Sequence, residues 1–161
     1  MIKLPPGITV TEIPLDKRYK STIEGWTTRI RKLYDTIEDR FGEAGLQLIR
    51  DVSGEYGREI AARVRKRYDG RELTIDEVGL FLVKVFNGMR SEGEILEWSE
   101  DRVTIMVPAC PYPFTRPQVC AAHTTMEEQL VKGLNPNLDY VIEKCIPSGD
   151  DECWHVLKTA D

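Results

Sequence analysis

Up to Met89 the apolar residues of this chain recur at spacings of three and four, and from Gly93 they alternate. A period near 3.6 turns one stripe of a helix towards a core, whereas a period of two turns one face of a strand there. The first part of the chain therefore predicts helices and the second part strands. Elements segregated in this way build an α+β domain rather than the alternating units of a parallel sheet. At 161 residues the chain suits a single domain, residues 1-161, with a proper core.

Residues 1-20 carry Pro5, Pro6 and Pro14 around Ile8-Thr9-Val10-Thr11, which predicts an N-terminal arm with a short edge strand. Such an arm suits a homodimer, lying across a partner copy, as well as it suits folding back on its own domain. Residues 21-91 form the helical half. Ser21-Thr22-Ile23-Glu24 has the form of a capping box, and Ile23, Trp26, Ile30, Leu33, Ile37 and Phe41 continue it as an amphipathic helix. After Gly42 a second helix, with Leu46, Ile49, Val52, Tyr56, Ile60 and Val64, runs to about Tyr68, where Asp69-Gly70 stops it. Thr74-Ile75-Asp76-Glu77 opens a third helix that is apolar over most of its surface, which predicts a central position.

Residues 92-161 hold the sheet and one more helix. Glu94 to Trp98 and Arg102 to Val107 predict a hairpin around Ser99-Glu100-Asp101. The proline-rich stretch from Pro108 to Pro117 must be a loop, and a fourth helix follows from Gln118 to Gly133. Leu138 to Ile146 and Glu152 to Leu157 form a second hairpin around Gly149. The expected fold is thus α+β: an antiparallel sheet built from two hairpins, covered by three N-terminal helices and one inserted helix.

A formal net charge of −5 argues against nucleic-acid binding, which needs a concentrated basic footprint. The basic residues from Arg58 to Arg71 crowd one helix end, where they complement the negative end of the helix dipole. No apolar run approaches the roughly 20 residues of a membrane span, and the N-terminus lacks the pattern of a secretory signal. A cytoplasmic location is expected, where thiols stay reduced and serve as ligands, nucleophiles or buried side chains.

All four cysteines and both histidines lie between Cys110 and His155. On the fourth helix Cys120, His123 and Glu127 stand at i, i+3 and i+7, which places them on one stripe. In the last strand Cys153 and His155 share a face, and a hairpin symmetric about Gly149 would set Cys145 opposite Cys153 and Glu143 opposite His155. If the helix packs on the sheet through that stripe, Cys120, His123, Cys145 and Cys153 meet, and three thiolates with one imidazole suit tetrahedral Zn²⁺. Cys110, in the proline-rich loop beside the site, and His155 are further ligand candidates.

Other chemistries suit the same residues. With Cys110 as fourth thiolate an Fe-S cluster has its ligand count, though on an unfamiliar spacing. Cys120, at the first turn of a helix and three residues from His123, has the setting of an activated nucleophile. Cys145 and Cys153 also fit as small buried residues of the hairpin.

The run Cys120-Ala121-Ala122-His123, then Glu143-Lys144-Cys145, then Gly149-Asp150-Asp151-Glu152-Cys153-Trp154 resembles the ending of the 4-vinyl reductase domain family. It is also similar to the related L-2-amino-thiazoline-4-carboxylate hydrolase family, which shares the proline after the helix and the Gly-Asp-Asp-x-Cys turn. The resemblance covers residues 108 to 158. It implies an α+β fold shared with trafficking-type ligand-binding domains and a small-molecule ligand, hydrophobic in character, held between helices and sheet. It also implies metal held through Cys120, Cys145 and Cys153, with His123 as a fourth. The hydrolase likeness implies instead attack on a small cyclic amidine or amide by an activated thiol or a metal-bound water.

Overall fold

Pro14 starts the first helix, α1 (Leu15–Phe41), in the computed structural model, which describes Pro6 and residues 12–160. The expected edge strand at Ile8-Thr9-Val10-Thr11 lies outside the described residues. The helix begins six residues before the Ser21 capping box, so Ser21 is inside it and caps nothing. Proline suits a helix entrance, and Asp16 in the first turn complements the dipole. The buried side of α1 also differs from the expected stripe: Thr27 is buried and Ile30, Tyr34 and Ile37 pack on the core, while Trp26, Leu33 and Phe41 are exposed.

Gly42 joins α1 to α2 (Glu43–Arg65) at φ +54° and ψ −131°, a backbone region that only glycine enters without strain. A 3₁₀ turn, Lys66–Tyr68, ends α2, and Asp69 and Gly70 follow in left-handed conformation as the Asp-Gly pair predicted. The most extensive packing in the domain is between α2 and α4 (Pro117–Leu134). It depends on missing side chains. A Cβ added at Gly57 would stand 2.2 Å from the Met126 carbonyl oxygen, and one at Gly133 would stand 2.5 Å from the Ala61 Cβ.

Thr74 caps α3 (Ile75–Gly88) through the expected box: the Glu77 backbone N–H donates to Thr74 Oγ1 (3.3 Å), and the Thr74 N–H donates to Glu77 Oε2 (2.9 Å). The helix is not central. Val78 and Leu82 pack on the sheet, but Leu80 and Val85 are 52% and 41% exposed, because among the described residues α3 packs chiefly on β2 and β4.

The two hairpins, β1 (Glu94–Trp98) with β2 (Arg102–Val107) and β3 (Leu138–Lys144) with β4 (Cys153–Thr159), join into one antiparallel sheet of order β1-β2-β4-β3. The pair β2 and β4 runs in register from Arg102 opposite Lys158 to Val107 opposite Cys153. One core cluster lies between the sheet and α2, α3 and α4, around Leu82, Val103, Leu130, Leu134 and Leu157. A second joins α1, α2, the start of α4 and the proline-rich loop, around Ile49, Phe114, Val119 and Cys120. None of the helices among the described residues is long and apolar enough to cross a membrane.

The close approach of α2 and α4 makes a direct test. Gly57→Val should destabilise the domain by about 2 kcal/mol or more in urea unfolding, since backbone must move to admit the side chain. Gly25→Ala, where a Cβ meets nothing within 4 Å, should be neutral or stabilising.

Candidate functional site

The Gly149-Asp150 turn brings Cys145 back against the end of β4. Cys145 precedes a 3₁₀ turn, Ile146–Ser148, and Gly149 follows it at φ +106°. Asp150 Oδ2 accepts the Cys145 backbone N–H (2.7 Å), and the Cys145 carbonyl accepts the Ser148 N–H (2.8 Å). The Ile146 N–H then donates to Cys153 Sγ at 3.3 Å. From the other side α4 presents Cys120, whose sulfur lies 3.8 Å from that of Cys145. Helix and hairpin therefore meet at Cys120 and Cys145, the latter placed by the 3₁₀ turn after β3.

Three expected positions differ. Ile142, not Glu143, faces His155, because the β3 register shifts between Ile142 and Lys144. Glu143 pairs instead with Arg102 at 2.7 Å. Cys110 does not stand apart from the site: it is half-buried and packs on the same cluster as Cys120 and Cys145. His123 sits in an aromatic nest, with its ring centre 4.2 Å from Tyr112, 5.2 Å from Phe114 and 5.8 Å from Tyr34. Neither of its nitrogens has a partner among the described residues.

Burial pushes the thiols of Cys110, Cys120 and Cys153 up, Cys153 to about 11, and the neighbouring Cys145 adds to each shift. Backbone N–H groups pull the other way, from Ile146 at Cys153 and from Phe114 and Tyr112 at Cys110. Protonated thiols are poor nucleophiles, and the partner of the Cys120 sulfur is Cys145 rather than an imidazole. Among the described residues no three His, Cys, Asp or Glu side chains stand so as to hold a metal ion.

Beside the thiols a partly open cavity of about 130 Å³ lies between α2, α3, α4, the proline-rich loop and the sheet. Phe81, Val85, Phe86, Leu130 and Ile142 belong to its apolar wall, which Cys110, Cys120 and Cys153 also line. Its polar lining is Tyr112, His123, Thr124, Glu127, Tyr140 and His155, and the Thr124 hydroxyl donates to the Cys120 carbonyl (2.9 Å). Tyr140 and His155 satisfy each other through a 2.5 Å hydrogen bond between the phenol and Nδ1. An open groove along α1, bordered by Lys20, Glu24 and Arg90, shares Met89, Cys110 and Pro111 with the cavity wall. Arg116 holds the loop to α1 through Glu38 (2.9 Å) and Asp39 (2.7 Å).

Sequence reasoning did not single out Tyr140, Tyr112 or Phe114. Tyr140 stands two residues from Ile142 on β3, so strand parity carried its signal. Tyr112 and Phe114 lie in a loop whose prolines leave no period to read.

No family model matches the chain, and no curated protein matches it. Among solved structures it is similar to a trafficking protein particle complex subunit 3 from Naegleria fowleri, covalently bound to palmitic acid. The TM-score is 0.60 at 12% identity, and the match covers 88% of this chain and 97% of that one. The trafficking-type α+β fold implied by the resemblance is therefore the fold of this chain, while no sequence match singles out the 4-vinyl reductase family.

The buried acid and base give opposite pH dependences. Burial holds the Glu127 carboxyl up at about 8 against an ordinary 4.5, so the folded chain binds more protons across that window. Stability should fall as pH rises from 4.5 to 8. Burial lowers His123 from 6.5 to about 4, so stability should also fall as pH drops through that interval. Glu127→Gln should flatten the alkaline limb and raise stability at pH 8.5 by on the order of 2 kcal/mol. Urea titrations from pH 4 to 9 check both limbs.

Proposed function

We propose that this protein is a small-ligand-binding domain whose ligand occupies the cavity between α3, α4 and the sheet. The observation that carries this reading is the cavity itself. Cores close to near-crystalline density, and a void of this size loses contacts on every side unless something fills it. The fold is compatible, since a structural neighbour of the same architecture carries an acyl group. The cavity can be tested with toluene, an apolar probe small enough to enter. Toluene should perturb the NMR signals of Ile142 and Leu130 saturably, and Ile142→Phe should weaken its binding at least tenfold while the fold persists. Uptake unaffected by Ile142→Phe would place the ligand elsewhere.

A zinc ion held by thiols is a second component of this proposal, favoured by the 3.8 Å separation of the Cys120 and Cys145 sulfurs. Tetrahedral Zn²⁺ with bonds of about 2.3 Å keeps its sulfurs about 3.8 Å apart, well beyond the roughly 2.05 Å of a disulfide. Cys153 and Cys110 would complete the set after further convergence of their side chains, and the Ile146 N–H already bonds the Cys153 sulfur. Zinc so held would be structural, clamping α4 to the second hairpin. Protein purified without added metal should contain one zinc per chain by elemental analysis, and Cys145→Ser should lower that content and the melting temperature together. Metal-free protein of unchanged stability that takes up no Zn²⁺ would remove the zinc. Against the hydrolase reading, burial pushes the thiols of Cys110, Cys120 and Cys153 up, away from the thiolate form.

A further inference from the structure

Two residues that line the cavity hold three buried polar atoms with no hydrogen-bond partner among the described residues: both ring nitrogens of His123 and Oε2 of Glu127. Buried polar groups in folded proteins are nearly always paired, because desolvation without a replacement bond is costly. His123 is only 8% exposed, and Glu127 follows it by four residues, so the two heads stand one turn apart on the same face of α4. The other polar pair in the wall, Tyr140 and His155, is already closed on itself. The unmet bonding capacity is therefore concentrated on the α4 side of an otherwise apolar space.

The charge state of this lining selects among ligands. Burial pushes both groups towards their uncharged forms. A neutral imidazole offers one donor and one acceptor, and a protonated carboxyl adds an O–H donor. Among the described residues no lysine or arginine lines the cavity, so a ligand carboxylate there would lie without a counter-charge. Size adds a limit: a volume of about 130 Å³ is close to the roughly 150 Å³ of an apolar cavity that accepts benzene.

Resting on the ligand-binding reading above, we infer that the ligand is a compact uncharged molecule whose apolar body carries one hydroxyl or carbonyl group, received by His123 and Glu127. The body packs against Phe86, Leu130 and Ile142, and the polar end meets α4. A site with polar groups placed for one partner rejects the analogue that lacks it, since those groups are then left unpaired.

Three probes of matched size separate the possibilities: benzyl alcohol, toluene and benzoate, titrated into the full chain at pH 7 and followed by NMR. Benzyl alcohol should bind at least tenfold tighter than toluene, and benzoate should not bind at millimolar concentration. Glu127→Leu and His123→Leu should each bring benzyl alcohol and toluene to within threefold of one another, whereas Glu127→Gln should keep the preference. Continued toluene binding by each variant shows that fold and cavity survive the substitution. Equal binding of benzyl alcohol and toluene by the unaltered protein, tighter binding of benzoate, or a preference that survives both leucine variants would overturn the assignment while leaving the cavity as a ligand site. Failure of all three probes to bind would overturn the ligand-binding reading and this assignment together.

Discussion

The backbone contact between α2 and α4 determines where everything else in this domain can lie. Gly57 runs against the Met126 carbonyl, and Gly133 runs against Ala61, so the two helices approach more closely than ordinary side chains permit. This contact fixes α4, and α4 carries Cys120, His123 and Glu127. The sheet then meets α4 through the second hairpin, whose Gly149-Asp150 turn sets Cys145 beside Cys120. Helix position and turn geometry together place the thiols beside the cavity.

The cavity remains because its neighbours are already committed elsewhere. The proline-rich loop is anchored at Arg116 by acidic residues of α1, and Tyr112 and Phe114 stack near-parallel at 5.5 Å beside His123. Aromatic rings in such a stack cannot collapse into the space without giving up that contact. Tyr140 and His155 are tied to each other across the second hairpin. What is left among the described residues is an apolar chamber with unpaired polar atoms on its α4 side. A core optimised for stability alone would place neither His123 nor Glu127 there.

How much of this was legible depends on range. The capping box at Thr74, the Asp-Gly end of α2, the first hairpin and the Cys120-His123-Glu127 stripe are local patterns, and each forms as expected. The start of α1 was missed because the Ser21 box is a weaker local stop than an uninterrupted run of helix-compatible residues after Pro14. Glu143 was placed on the wrong face because a shift of register in β3 alters strand parity, and no residue type announces that shift. The expected central place of α3 failed for a related reason: an apolar helix shows that it can be buried, not how many layers are available to cover it.

By itself the sequence determined the kinds of elements, their order and the clustering of thiols and imidazoles in the last third of the chain, since all of these follow from periodicity and spacing along one dimension. Only the tertiary structure decided that His123 belongs to an aromatic nest, that Cys110 joins the thiols and that a largely apolar cavity lies beside them. Those outcomes depend on how closely α2 approaches α4 and how the proline-rich loop folds over both. The approach is limited by side chains that are absent at Gly57 and Gly133, and a glycine in a sequence does not say which backbone will fill the space it leaves.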